Sequence, residues 1–315
     1  MQANLMEYNI KQLLAKAIMQ KKALIIVEGE DDRPFYLRIT EYVGKKADVK
    51  ASEVVRKPDG SYYGAGCTGV IDIVENLQPE IHKNPLCKKY FLGIIDSDYR
   101  RYKPDKNIEE IECLFVLKYY SYESHFITDN TIKQLITHTT RVAMQDVTDE
   151  IIAKTKERLP KAMNDIYYAG LAYLRAVDGD PDNNTVKRIY NAEELYQKEG
   201  NTTKIDKILK QKEELEQFAN KMNISQKDIL FVVKGKYLLY AFVQSVYGQI
   251  GILSSMCRSG QIEQCDYCKN GKTGHCIWKV KNQLRRSEYN NIAVDLSWKT
   301  ELEIEYIKDR LSRLG

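Results

Sequence analysis

The apolar positions of this chain change period along its length, and each change marks a boundary. Leu5, Tyr8, Ile10, Leu13, Leu14, Ala17 and Ile18 recur near helical spacing, so an amphipathic helix opens the chain over residues 5 to about 20. Residues 23–27 (ALIIV) form a short, β-branched apolar run, the pattern of a strand buried on both faces. Beyond Glu28-Gly29, residues 31–37 regain helical character, with acids in the first turn and Pro34 where its missing N–H does no harm. A Gly-rich stretch over 59–69 reads as a loop before an apolar helix from 70 to about 77. Two more buried strands follow: 90–95, which ends in Asp96-Ser97-Asp98, and 113–117, which runs into Tyr119-Tyr120-Ser121-Tyr122-Glu123. Alternating strand and helix predicts an α/β fold with a mainly parallel sheet.

From about 132 to 222 the pattern becomes long helical segments, broken at 178–182 and at Gly200-Asn201. This stretch (131–224) carries 15 basic and 15 acidic residues, which suits a neutral helical insertion. Residues 229–233 (ILFVV) read as a strand and are followed by Gly235-Lys236 and an apolar helix over 237 to about 246, so the α/β core is expected to resume there. The expected organisation is an α/β core over 1–130, the insertion over 131–224, a return to the core over 225–250, and a small Cys-rich lobe with a terminal helix over 251–315.

Composition adds little. The formal charge is +4, from 48 basic and 44 acidic residues, so any basic surface for nucleic acid must be local. The 22 tyrosines against 7 phenylalanines fit amphipathic core positions better than a base-stacking surface. Lys11 and Lys16 interrupt the apolar character of the N-terminus, and no stretch approaches the ~20 apolar residues that span a bilayer, so a cytoplasmic protein without a membrane partner is expected. Seven cysteines, an odd number, then point to thiols or metal ligands rather than a disulfide framework.

The chemistry concentrates where strands end. In a doubly wound sheet, ligands bind beyond the carboxyl ends of the strands. Here one buried run is followed by Glu28, with Asp32 four residues on, and another by Asp96 and Asp98. Taken singly, each acid also fits a helix N-terminal cap. Together, carboxylates in one crevice repel one another unless a multivalent cation neutralises them, and hard oxygen ligands suit Mg²⁺ or Mn²⁺. Two such ions about 4 Å apart are the arrangement that hydrolyses phosphodiesters.

Val27-Glu28-Gly29 with Asp32, followed by Ile94-Ile95-Asp96-Ser97-Asp98, resembles the Toprim domain of topoisomerases, bacterial primases and OLD-like nucleases. With Phe35-Tyr36, the segment around Glu123 and Gly235-Lys236 with Leu238-Leu239, the chain is most similar to Toprim nuclease subunits of PARIS-type anti-phage defence systems. The resemblance covers roughly 20–130 and 228–250. It implies that Glu28 and Asp32 serve as metal ligand and general acid/base, that Asp96 and Asp98 hold Mg²⁺, and that Glu123 serves a second ion. Lys236 would stabilise transition-state charge, although it also fits a solvated lysine after a glycine turn, and Glu123 also fits a helix cap. The resemblance further implies a toxic nuclease released by an ABC-type ATPase sensor, with tRNA or DNA as substrate; homo-oligomerisation is left open. The chain has no Gly-x4-Gly-Lys-Ser/Thr loop of its own, so an external switch is expected. The competing reading is a non-catalytic, zinc-containing scaffold or nucleic-acid-binding protein with a degenerate core.

Cys257-x7-Cys265-x2-Cys268-x7-Cys276 places four thiols in 20 residues, with His275 beside the last. A Cys-x-x-Cys turn flanked by glycines suits a tetrahedral, structural zinc ion. Reduced, partly buried cysteines and an iron–sulfur cluster also fit. Lys279, Lys281, Arg285 and Arg286 follow, at a spacing that predicts a shared helix face for phosphate or solvent.

Overall fold

The computed structural model describes residues 8–103, 108–179 and 192–315. Leu5, the start of the expected opening helix, and most of the predicted break at 178–182 lie outside them. The chain forms two compact units, one of residues up to Lys118 together with Ile304–Gly315, the other Tyr119–Glu303.

The first unit is α/β. Helix α1 (Ile10–Gln20) begins where the Asn9 side chain accepts the Gln12 N–H at 3.1 Å and the Gln12 side chain accepts the Asn9 N–H at 2.9 Å, and it stops at Lys21 in the left-handed region. It buries Ile10, Leu14 and Ala17, one face at i, i+4, i+7. Strand β1 (Ala23–Val27), helix α2 (Arg33–Tyr42), strand β2 (Ala47–Ala51), helix α3 (Gly66–Lys83), the short α4 (Pro85–Tyr90), and strands β3 (Phe91–Ile95) and β4 (Leu114–Val116) follow. The sheet is parallel throughout, in the order β2-β1-β3-β4. Strands β1 and β3 are central, and each of their residues is buried, which is why their sequences run apolar without alternation. Strand β2, at the edge, alternates buried and half-buried positions.

The chain leaves β1 in one direction to form β2 and returns to β1's other side to form β3. The direction of winding therefore reverses between β1 and β3, and a crevice opens at their carboxyl ends. Helix α3 lies directly on β3: a Cβ on Gly93 would come within 2.5 Å of Val74 Cγ2 and 3.0 Å of Val70 Cγ1, so only glycine permits this approach. The terminal helix (Glu305–Ser312) completes the unit against α2. The Lys118 N–H donates to the Tyr306 hydroxyl at 2.9 Å, and the Gly315 N–H to the Lys89 carbonyl at 2.8 Å.

The second unit is helical, built on α5 (Asp129–Thr139), α6 (Asp149–Thr155), α7 (Leu159–Val177) and the 25-residue α8 (Gly235–Ser259), with further helices such as Lys212–Lys221 and Tyr289–Ser297 and short helical turns between and after them. Its described strands are only a two-residue ribbon, Lys198–Glu199 with Thr202–Thr203. The strand expected at 229–233 is instead one helical turn, Ile229–Val232, and the expected return to the core over 225–250 is a helical part of this unit. The Ile229–Val232 turn follows directly on the 3-10 turn Gln226–Asp228, which opens with a reciprocal cap in which the Asp228 carboxylate accepts the Ser225 N–H at 2.9 Å. Gly170 of α7 presses against it so closely that a Cβ there would meet Val233 Cγ2 at 2.7 Å. A five-residue run in which every position is apolar carries no period by which to tell strand from helix.

The tyrosine excess serves the interior: Tyr36, Tyr63, Tyr90, Tyr167, Tyr237 and Tyr240 are among the buried residues. No described helix is long and apolar enough to cross a membrane.

Candidate metal centres

At the carboxyl end of β1 the chain turns sharply. The Gly29 N–H donates to Asp32 Oδ2 at 3.0 Å and the Asp32 N–H to the Gly29 carbonyl at 3.2 Å, closing the turn into α2. The Asp32 side chain thus points back into the turn instead of capping α2. On the other side, the Gly66 N–H donates to the Glu28 carbonyl at 3.1 Å. The Ser52 hydroxyl donates to the Gly64 carbonyl at 2.8 Å, with the Glu28 carbonyl 3.3 Å away. Gly66, with φ of 75°, takes the left-handed turn that opens α3. Gly69 lies so near that a Cβ there would fall 1.8 Å from the Gly64 carbonyl oxygen. Glu28 is held from behind by this Gly-rich loop.

At the end of β3 the Asp96 N–H donates to Glu28 Oε1 at 2.8 Å. Asp98 sits at φ 46°, a left-handed conformation that Asp tolerates better than most residues. Arg100 Nη1 donates to the Asp96 carbonyl at 2.8 Å and lies 3.7 Å from Asp98 Oδ2. Oxygens of Glu28 and Asp98 and the sulfur of Cys67 all lie within 4.8 Å of one another, each residue half-buried. The Glu28 carboxyl is raised from its ordinary 4.5 to about 7. Burial is the main cause and the Asp98 charge the next; the Asp96 N–H opposes them, Asp32 adds to them, and Arg100 opposes them weakly.

Of the four acids expected to share this crevice, Glu28 and Asp98 therefore converge directly. Asp32 acts on Glu28 through its charge, and Asp96 contributes its backbone N–H. Cys67, in the first turn of α3, was not among the expected ligands. Its only sequence signal is its place at the end of a Gly-rich loop that opens a helix.

Glu123 and Lys236 belong to the second unit. Glu123 is buried, accepts a hydrogen bond from the Ser121 hydroxyl, and faces the start of α8: a Cβ on Gly235 would meet Ser121 Oγ at 2.0 Å and Glu123 Oε2 at 3.0 Å. Burial raises its pKa above the usual carboxylate range, against the Ser121 hydrogen bond and the Lys236 charge, which lower it. The positive end of a 25-residue helix favours an acid at this position.

The four cysteines converge as their spacing predicts. Cys257 lies near the end of α8, Cys265 caps the short helix Asp266–Lys269, Cys268 lies within it, and Cys276 follows the turn Thr273–His275. Their sulfurs all lie within 4.8 Å of one another, so the set can hold a metal ion such as zinc. The Cys265 N–H donates to Cys257 Sγ at 3.3 Å. At Cys265, burial pushes the thiol up, but backbone groups of Ile277 and Cys268 and the neighbouring thiols bring it down to about 7; burial pushes Cys257 up to about 11. His275 is exposed and is not one of the four converging groups.

Residues 277–282 then clamp the end of α5. The Arg141 N–H donates to the Ile277 carbonyl at 3.0 Å, and the Lys281 and Asn282 N–H groups donate to the Thr139 carbonyl at 2.8 and 3.1 Å. The helix face expected for Lys279, Lys281, Arg285 and Arg286 does not form, because this backbone bonds to α5 and only Arg286 enters a helical turn, Arg286–Glu288. Comparison with protein-family models and with curated proteins returns no match for the chain.

Proposed function

We propose that the crevice at the carboxyl ends of β1 and β3 is the metal-binding catalytic site of a nuclease that hydrolyses nucleic-acid phosphodiesters. The observation that carries this reading is Glu28. It is a half-buried acid with a pKa near 7, within 4.8 Å of an Asp98 oxygen, at the point where the sheet's winding reverses. Glu28 and Asp98 offer hard oxygen donors to Mg²⁺ or Mn²⁺, and a divalent charge relieves the repulsion that raises Glu28. When bound, such an ion polarises a phosphoryl oxygen and activates water. The Asp96 N–H orients Glu28, and Asp32 holds the turn that follows it through the Gly29 N–H. Without the ion Glu28, at about 7, is partly protonated at neutral pH; a bound divalent ion would lower it and keep the carboxylate as a ligand.

The resemblance to Toprim nucleases extends this proposal to a second ion, to release by an ABC-type ATPase partner and to tRNA or DNA as substrate. The four cysteines, on the same footing, hold a structural zinc ion. Incubation of the chain with labelled tRNA and DNA, with Mg²⁺ or chelator and with or without an ABC-type ATPase partner, tests the nuclease reading. Mg²⁺-dependent cleavage that is lost in Glu28→Gln supports it. Binding without cleavage under every condition leaves a zinc-containing scaffold.

A further inference from the structure

Three donors meet in the β1/β3 crevice from three separate elements: Glu28 from the end of β1, Asp98 from the loop after β3, and Cys67 from the first turn of α3. The β1 end is fixed by the Asp96 and Gly66 N–H groups. The α3 end is fixed by the contact of Val70 and Val74 with Gly93 and by the tight approach of Gly69 to Gly64. A sulfur is a poor ligand for Mg²⁺, whereas thiolate and carboxylate are each zinc ligands, and three such donors leave the open fourth position of a tetrahedral zinc site. We propose that this crevice binds Zn²⁺ through Cys67, Glu28 and Asp98, and that the bound zinc excludes Mg²⁺ and so inhibits the site. The inference deepens the reading of the crevice as a metal site and rests on it. On binding, the Cys67 S–H bond breaks, its proton goes to solvent, and a Zn–S bond forms, with no change of oxidation state.

The site-specific readout is the alkylation rate of Cys67. The segment between Arg56 and Lys83 contains Cys67 and no other cysteine, so its modification is read separately from that of the four-cysteine cluster. The full chain, with that cluster already loaded with zinc, is treated with iodoacetamide alone, with added Zn²⁺ or with Mg²⁺. Zinc is expected to slow Cys67 alkylation roughly tenfold, as when about nine-tenths of the thiolate is coordinated, and Mg²⁺ is not. Protection should disappear in Glu28→Gln and in Asp98→Asn. Mn²⁺ binding, followed by the resonance of the free ion, is measured in parallel. If zinc leaves Cys67 equally reactive while Mn²⁺ still binds in a Glu28-dependent way, the inference is wrong and the metal-site reading stands. If neither ion binds, both fail. Protection that persists in both variants overturns this ligand set.

Discussion

The backbone N–H of Asp96 donates to Glu28 Oε1 at 2.8 Å, tying the end of β3 to the end of β1 across the crevice between them. This bond favours the ionised carboxylate, yet burial and the Asp98 charge outweigh it and hold Glu28 at about 7. The pH dependence of stability follows from that imbalance. The folded-state pKa lies above the unfolded value, so the contribution is fully present below about 4.5 and is lost as pH rises through about 7. The full span is worth on the order of 3 kcal/mol. Gln at position 28 keeps an acceptor oxygen for the Asp96 N–H but cannot ionise. In chelator, Glu28→Gln is therefore expected to melt higher than the parent at pH 8 and close to it at pH 4; equal differences at both pH values would contradict this.

Asp98 supplies the like charge next in importance to burial. Asp98→Asn removes the charge, and Asn tolerates the left-handed backbone at φ 46°. This variant should lower the Glu28 pKa and flatten the decline in stability above pH 5. Asp98→Ala should flatten it equally but cost up to about 1–2 kcal/mol, because Ala lacks the short polar side chain whose local hydrogen bonding lets Asp and Asn adopt that conformation. Denaturant melts of the two variants across pH separate charge from strain.

Gly235 and Gly248 lie in the same helix and make a matched test. A Cβ at 235 meets Ser121 Oγ at 2.0 Å, whereas a Cβ at 248 meets nothing within 4 Å. Gly235→Ala should destabilise by about 1–3 kcal/mol through overpacking against the Ser121–Glu123 pair. Gly248→Ala should be neutral or stabilise by up to about 1 kcal/mol, since alanine is the better helix former. Similar melting temperatures for the two would mean that Glu123 does not pack against the start of α8 as described.

Metal at the four cysteines should be felt beyond them. Residues 277–282 run from Cys276 onto the last turn of α5, so losing the ion should release that clamp. Purified chain is expected to carry one zinc. Cys268→Ser should lose it and speed amide exchange at Arg141, Lys281 and Asn282, while the amides of β1 and β3 stay protected. Unchanged exchange at those three amides would confine the ion's role to its own loop.

Much of this was legible in the sequence, for reasons that differ by element. β1 and β3 announce themselves because strands buried on both faces need unbroken apolar runs, and the acids that end them mark the crevice. Cys257, Cys265, Cys268 and Cys276 are close enough along the chain that a local turn determines their convergence. Cys67 was not legible, because its approach to Glu28 depends on how closely α3 rests on Gly93, a packing distance rather than a motif. Nor was the return of Glu305–Ser312 to the α/β unit, which depends on partners such as Lys118 and Lys89, far away in sequence. The apolar composition of residues 229–233 points to a strand, while the Ser225–Asp228 cap just before them points to the helical turn that forms.

The central claim is that Glu28 and Asp98 together bind a divalent cation, and Mn²⁺ binding to the full chain, with zinc in the cysteine cluster alone and no free zinc in solution, tests it most directly. The free-ion resonance should reveal a site outside the cysteine cluster that Mg²⁺ competes for and that is lost in both Glu28→Gln and Asp98→Asn. Mn²⁺ binding of equal strength in the parent and in both variants would contradict it.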